Sequence, residues 1–251
     1  MKIKIKSKYK KDKYIYETFL KNKKAKSLVI FSSGLSGSKE LPLFKNASKK
    51  FLKDGFSILR FNFCRDNDDK LQKIDTLKPE ELSLSVYIAE LKNIMDVFSK
   101  KYPNIVLIGH SFGAVVFILF LDKYKKYKKN TKLILWDPTL LPWKKKIMEM
   151  DFLFNTKKQL YYGKNTNEVM NKTFYNECIH IKNTTNTLKM LNKEVCIIAA
   201  ENGASKDAKK YYSKIKNKKN SKLFIIKKTG HRFDEEKAQK ELFDRTIEFL
   251  K

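Results

Sequence analysis

The stretch Ile105–Val116, with the sequence IVLIGHSFGAVV, decides the fold. Its first four residues are aliphatic, as expected of a buried strand. The pattern Gly-x-Ser-x-Gly follows from Gly109 to Gly113, and an apolar segment of helical length comes next. A serine between two glycines at a strand-to-helix turn is typical of a nucleophile elbow, in which the hydroxyl is exposed. Ser111 is therefore the candidate nucleophile.

Predicted strands and helices alternate on both sides of this stretch. Alternating apolar and polar residues predict an opening antiparallel hairpin from Lys2–Lys6 and Lys13–Phe19. Apolar runs predict further strands at Ser27–Phe31, Phe56–Cys64, Ile105–Ile108, Leu133–Trp136, Val195–Ala199 and Leu223–Ile226. Amphipathic or apolar patterns predict helices at Pro42–Asp54, from Pro79 to about Lys101, from the elbow to about Tyr127, near Asp207–Lys218 and from about Asp234.

This alternation predicts an α/β fold with a mostly parallel sheet that helices cover on both faces. We expect one domain, residues 1–251. The alternation stops between about residues 139 and 193, where aromatic residues are frequent and helical fragments have no clear partner strand. We interpret this segment as a lid inserted into the domain.

The charge of the chain is strongly positive, +28 over 251 residues. Lysine supplies nearly all of it, although specific recognition of bases and phosphates favours arginine. Because the lysines are spread along the whole chain, we interpret them as a solvated surface and expect no specific nucleic-acid partner. Weak attraction to anionic surfaces stays open. No apolar run suits a membrane span or a signal peptide, so we expect a cytoplasmic protein.

Metal and disulfide sites are not predicted. The three cysteines are scattered, and Cys64 and Cys196 lie at or in strand-like runs where a buried thiol is usual. Asp66, Asp68 and Asp69 share a polar loop, but their spacing does not match a calcium loop. We expect no metal and no cofactor.

Chemistry-bearing residues follow the carboxyl ends of several predicted strands, which is the edge where open α/β sheets bind ligands. Ser111, the loop Ser32–Ser38, Asp137 and His231 all do so. A serine hydroxyl needs a neighbouring base to act as a nucleophile, and His231 is the histidine placed to serve it.

The other two histidines have different predicted places. His110 precedes the nucleophile, and we expect its side chain to point away into packing. His180 lies in the inserted segment, where it either decorates the lid or touches substrate.

The order of elements, the elbow and the terminal Gly230-His231 resemble the α/β-hydrolase superfamily over essentially the whole chain. Ser33–Glu40, SGLSGSKE, is similar to the His-Gly-x-x-Gly loop of its cinnamoyl-esterase and serine-aminopeptidase-like (monoacylglycerol-lipase-like) branch, and Gly55–Asn62 resembles the strand that follows. Ser33 replaces the usual histidine and Asn62 the usual aspartate. The resemblance implies that the backbone N–H groups of Leu35 and Phe112 form an oxyanion hole.

The acid that orients His231 has three candidates. Related enzymes carry an aspartate shortly after the strand Val195–Ala199, where this chain has Gly203. Asp137 ends the preceding strand, which resembles a lipase-type arrangement, although Asp-Pro is also an ordinary turn opener. Glu201 and Asp207 are the alternatives.

These residues predict a serine hydrolase that cleaves an ester or thioester of a small or apolar acyl group through Ser111, His231 and Asp137. The substrate is a small molecule, and the reaction passes through an acyl-enzyme. Peptidase and acyltransferase activities are less favoured. The alternative is a catalytically eroded protein of the same fold whose basic surface binds an acidic partner.

Overall fold

The computed structural model describes residues 2–10, 12–35, 37–62, 77–140, 143–164, 168–181 and 184–251. Within these ranges the strands are β1 Lys2–Lys6, β2 Tyr14–Leu20, β3 Ser27–Ser32, β4 Ser57–Phe61, β5 Asn104–His110, β6 Thr131–Trp136, β7 Phe152–Asn155, β8 Leu160–Gly163, β9 Val169–Asn171, β10 Val195–Ala200 and β11 Lys222–Ile226. The α-helices are α1 Pro42–Lys53, α2 Leu84–Phe98, α3 Phe112–Lys123, α4 Trp143–Glu149, α5 Lys172–Ile179, α6 Thr184–Leu191, α7 Ser205–Lys214 and α8 Glu236–Leu250.

Eight strands form one sheet in the order β1-β2-β4-β3-β5-β6-β10-β11. Strand β2 runs antiparallel to both of its neighbours, and the pairs from β4 to β11 are parallel. The predicted hairpin and the predicted mostly parallel sheet are therefore confirmed.

Helices cover both faces of this sheet because its central strands are apolar on both sides. On β3, Leu28 and Ile30 face one core, and Val29 and Phe31 face the other. The first core includes side chains of α2, α3, α6 and α7, and the second includes those of α1 and α8.

The register of the parallel strands brings their carboxyl ends to one edge. Backbone hydrogen bonds continue just beyond the strands, from Ser111 N to Trp136 O (3.0 Å) and from Asp137 N to Ile198 O (2.8 Å). Each residue that follows a strand is thus held beside the end of the next strand. We call this side of the sheet the carboxyl edge.

The segment between β6 and β10 contains structure that the sequence did not predict. Strands β7, β8 and β9 pair antiparallel in a small separate sheet, among helices α4 to α6. These strands have three or four residues each, which is too short for a periodic pattern to stand out. Stacked rings link this sheet to α5, with 4.0 Å between the centroids of Tyr161 and Tyr175.

Several helix boundaries differ from the predicted ones. Pro79–Glu81 forms a short 3₁₀ turn, and α2 begins afterwards because Ser83 caps it, its hydroxyl accepting a hydrogen bond from Val86 N. Helix α3 ends at Lys123 and a second 3₁₀ turn continues to Tyr127. The predictions for Cys64 and for Asp66, Asp68 and Asp69 lie outside the described residues.

No helix among the described residues is both long and apolar enough to cross a membrane. Nor do the histidines, cysteines and carboxylates of the described ranges gather into a group of three or more that could hold a metal ion.

Glu17 is a buried carboxylate on β2. It faces the same side as Ile15 and Phe19, and its side chain is fully buried. Neither carboxylate oxygen has a hydrogen-bond partner among the described residues. Burial therefore raises the pKa of Glu17 well above its usual value, because the charged form loses its hydration.

We expect Glu17→Gln to stabilise the protein at neutral and alkaline pH. In the wild type, the unfolded chain releases this proton above about pH 4.5 while the folded chain keeps it, so the free energy of unfolding falls as pH rises towards the raised pKa. Glutamine does not ionise, and we expect a gain of about 1–3 kcal/mol at pH 8 that disappears near pH 4. Urea denaturation across this pH range measures it. A gain that is constant with pH would contradict the interpretation.

Candidate active site

Ser111 lies on a tight turn between β5 and α3. Its φ is +55°, a left-handed conformation that non-glycine residues seldom adopt. A Cβ at Gly109 would lie 2.6 Å from Ala114 N, and one at Gly113 would lie 2.5 Å from Ser32 O. Both glycines are therefore required for the close approach of strand, helix and the end of β3. The predicted strand–turn–helix context of Gly-x-Ser-x-Gly is present.

The hydroxyl of Ser111 lies near Thr139 and the loop after β3. Its Oγ lies 3.5 Å from Thr139 Oγ1. A Cβ on Gly34 would lie 3.3 Å from the same Oγ, so the loop after β3 packs against the serine. In the described ranges no hydrogen bond joins Ser111 to His231. Catalytic hydrogen bonds are often long without substrate and shorten in its complex.

His231 and Asp137 form a direct pair at the carboxyl edge. The distance from His231 Nδ1 to Asp137 Oδ2 is 2.5 Å. The carboxylate is completely buried, and its Oδ1 accepts hydrogen bonds from Ala200 N (2.8 Å) and Ala204 N (2.9 Å). Asp137 itself has a φ of +40°. The arrangement fixes the carboxylate firmly and orients the imidazole of His231, 44% of which is exposed.

Gly203 makes room for this carboxylate. A Cβ at position 203 would lie 2.4 Å from Asp137 Oδ2 and 2.9 Å from its Cγ. Gly203 is the residue that aligns with the usual acid position in the resemblance described above. A side chain at position 203 and the Asp137 carboxylate would therefore occupy the same space. The glycine is evident from the sequence, but the sequence does not show that Asp137 occupies the space where a side chain at position 203 would lie.

The two alternative acids have other partners. Glu201 accepts hydrogen bonds from Lys227 Nζ (2.8 Å) and Lys228 N (2.9 Å), and these lower its pKa. Asp207, in the first turn of α7, contacts Lys210 Nζ at 3.4 Å. Of the three carboxylates, only Asp137 is joined to His231 by a hydrogen bond within the described ranges.

The loop after β3, which includes Leu35, is held by polar contacts from β4. Lys39 N donates to Asn62 Oδ1 (2.6 Å), and Arg60 Nη1 donates to Lys39 O (2.6 Å). Within the loop, Ser33 Oγ donates to Gly37 O (2.8 Å). Ser33 and Asn62, which depart from the family pattern, therefore have structural roles here.

The two predicted oxyanion donors, Phe112 and Leu35, belong to segments that lie next to Ser111. Phe112 is the first residue of α3, where backbone N–H groups lack a partner within the helix. Leu35 follows Gly34, which packs against the serine. Their role as donors to a developing oxyanion remains a prediction.

His110 packs into the core as predicted, and it also contacts His231. Its Nε2 lies 2.8 Å from His231 O, and the two ring centroids are 4.6 Å apart. A carbonyl oxygen only accepts, so Nε2 carries the proton. Burial and the charge of His231 lower the pKa of His110 to about 4, which keeps its ring neutral at pH 7. His110 therefore anchors the backbone of His231, a contact that spacing in sequence does not reveal.

His180 and the described cysteines have no contact with Ser111, Asp137 or His231 within the described residues. The exposed ring of His180 contacts Asn176 O through Nδ1 (2.7 Å) at the end of α5. Cys178 and Cys196 are buried, as predicted for Cys196, and burial raises the pKa of both thiols. Neither thiol is prepared for nucleophilic attack.

Aromatic side chains surround Phe112, next to the serine. Trp143 of α4 contacts its ring edge-on with 4.6 Å between centroids, and Phe174 of α5 and Tyr87 of α2 lie at 6.0 and 6.2 Å. Trp143 and Phe174 are almost fully buried. The segment between β6 and β10 therefore packs directly on helix α3, which begins immediately after Ser111.

Comparison with known structures addresses the fold. Est1E from Butyrivibrio proteoclasticus, solved with ferulic acid, superimposes with a TM-score of 0.78 at 16% identity, over 99% of this chain and 97% of that one. The chain has the α/β-hydrolase fold. The α/β hydrolase GrgF from Penicillium sp. sh18 gives a TM-score of 0.74 at 13% identity, over 100% and 97% of the two chains. No protein-family model and no curated protein sequence matches the chain.

Proposed function

We propose that the protein is a serine hydrolase in which Ser111, His231 and Asp137 form a catalytic triad. One observation carries the proposal: the buried Asp137 carboxylate is paired with His231 at the edge where Ser111 occupies a strained elbow. A buried carboxylate is expensive unless it is hydrogen-bonded. His231 supplies that hydrogen bond, and because its ring is partly exposed it can also act as the base.

In this mechanism His231 Nε2 removes the proton of Ser111 Oγ as the oxygen attacks the carbonyl carbon of the substrate. Asp137 fixes the proton of the imidazole on Nδ1 and stabilises the imidazolium that forms. The N–H groups of Leu35 and Phe112 stabilise the tetrahedral oxyanion. His231 then protonates the leaving group, and water hydrolyses the acyl-enzyme by the same steps.

The proposed substrate is an ester or thioester with an apolar or aromatic acyl group. Two observations support this class. The segment that packs beside Ser111 is rich in aromatic side chains, Trp143 and Phe174 among them, and a protein with a similar fold binds ferulic acid, an aromatic acid. We assign residues 139–193 as a lid within a single domain, because Trp143 and Phe174 from this segment pack on Phe112.

A fluorophosphonate probe tests the proposal. The Ser111 hydroxyl displaces fluoride from phosphorus in an activated triad, so we expect stoichiometric labelling of the wild type on the peptide that contains Ser111. Mass spectrometry measures the added mass. Ser111→Ala is expected to remove the label, whereas Ser205→Ala on α7 is the matched control and keeps it. A folded wild type that takes no label would contradict the enzyme assignment and favour a binding role.

A series of p-nitrophenyl esters tests the substrate class. If the acyl group binds against the aromatic-rich segment next to Ser111, kcat/KM rises from acetate to longer or aromatic acyl groups, since each buried methylene contributes about 0.8 kcal/mol. A preference for acetate over all larger acyl groups would contradict this assignment while leaving the triad intact.

A further inference from the structure

A cavity of about 770 Å³ lies at the opposite end of the sheet from Ser111. Its lining includes Ser27, Asn104 and Thr131, the first residues of β3, β5 and β6. Strand β5 alone is seven residues long and separates the cavity from the elbow by about 20 Å. We call it the basal cavity. Its volume falls within the range of about 300–1,000 Å³ that is usual for small-molecule sites.

The charged lining of the basal cavity is strongly one-sided. Five lysines and a single carboxylate line it: Lys125, Lys128, Lys129, Lys132, Lys193 and Glu194. Elsewhere on the surface lysines often meet an acid, as in Lys50–Asp54 (2.7 Å) and Lys227–Glu201 (2.8 Å). Within the described residues none of the five cavity lysines forms an ion pair, although the neighbouring Lys126 contacts Asp96 at 3.6 Å.

Two of the five ammonium groups are held in place by the protein. Lys193 Nζ donates to Lys128 O (2.6 Å). Lys132 Nζ lies 3.4 Å from Leu250 O and 5.6 Å from the ring centroid of Phe249. A lysine ammonium has three N–H donors, so each retains donors for a further acceptor. Both side chains are partly buried, which reduces the entropy lost on binding.

The positively charged lysines of the cavity repel one another. Burial lowers the pKa of Lys193, and the charges of Lys128 and Lys132 lower it further against the effect of Glu194. An anion with several charges would relieve this repulsion. A phosphate group carries up to two negative charges and three strong acceptor oxygens, which suits lysine as a point-charge partner.

We propose that the basal cavity binds a small molecule that carries two or more phosphate groups, through Lys125, Lys128, Lys129, Lys132 and Lys193. The site is separate from the carboxyl edge, so the ligand does not compete with substrate at Ser111. Five lysines and one carboxylate line a single concave cavity, and this distinguishes them from the diffuse positive surface of the rest of the chain.

Isothermal titration calorimetry with sodium triphosphate tests the proposal, in low-salt buffer without divalent cations. We expect one saturable site per chain. Lys128→Gln with Lys193→Gln should weaken binding about tenfold or more, because two charge-assisted contacts are lost. The matched control is Lys206→Gln with Lys209→Gln on α7, which removes the same charge and should change affinity by less than about twofold, as expected for exposed charges.

A parallel titration with ATP distinguishes the sources of phosphate. Equal affinity for ATP and triphosphate indicates that phosphate groups alone are bound, and tighter binding of ATP indicates a nucleotide site. If the first double variant fails to fold, Lys129→Glu replaces it, since that side chain is exposed. The proposal is overturned if the wild type shows no saturable binding, or if the two double variants lose affinity equally.

Discussion

Asp137→Asn is expected to lower kcat for ester hydrolysis by about 10⁴-fold, the effect that loss of the orienting carboxylate has in a Ser-His-Asp triad. Asparagine is nearly isosteric, and its Oδ1 can still accept from Ala200 N and Ala204 N, so the fold is retained. Its amide nitrogen, however, would face Nδ1 of His231 in place of Oδ2. The amide nitrogen introduced at position 137 and a protonated Nδ1 would both be donors, so the proton of the imidazole moves to Nε2, which then cannot accept the proton of Ser111.

Steady-state kinetics with a p-nitrophenyl ester measures this loss, with circular dichroism as the check on folding. Asp207→Asn and Glu201→Gln are the matched controls, and we expect each to retain kcat within about twofold, since exposed ion pairs contribute little. A nearly unchanged kcat for Asp137→Asn together with a crippled Asp207→Asn would show that the acid is misassigned.

The fold followed from the sequence because its signals are local. Apolar runs such as Val195–Ala199 are continuous in strands that are buried on both faces, and β10 is buried throughout. The elbow is also local, since the glycines that permit it lie two residues from Ser111. Convergence at one edge then follows from parallel strand direction, which brings His231 and Asp137 to the side of the sheet where Ser111 lies.

The features that the sequence did not reveal depend on contacts between distant residues. His110 contacts the backbone of His231, 121 residues away. Thr139 lies beside Ser111 Oγ, yet an isolated threonine in a loop carries no signal of that proximity. The small sheet β7-β8-β9 is formed by strands too short for periodicity, and its Tyr161 ring contacts Phe154 of β7 and Tyr175 of α5.

Moving the acid from position 137 to position 203 is expected to restore much of the activity that its removal abolishes. A Cβ at position 203 would lie 2.4 Å from Asp137 Oδ2, close enough for a carboxylate on it to reach the oxygen position that now faces His231. Glycine at position 137 suits the φ of +40° there. We therefore expect Asp137→Gly to lose about 10⁴-fold in kcat and the double variant Asp137→Gly/Gly203→Asp to regain at least about 100-fold.

The single variant Gly203→Asp is expected to destabilise the protein, because the carboxylates at positions 203 and 137 would then compete for one space. We expect its free energy of unfolding in urea to fall by several kcal/mol relative to the wild type, since a Cβ only 2.4 Å from Oδ2 of the buried Asp137 carboxylate forces the structure to shift. Asp137→Gly/Gly203→Asn is the uncharged control and should not recover kcat. If the folded Asp137→Gly/Gly203→Asp variant is no more active than Asp137→Gly, the space shared by Gly203 and Asp137 is a packing feature and not a relocated catalytic acid.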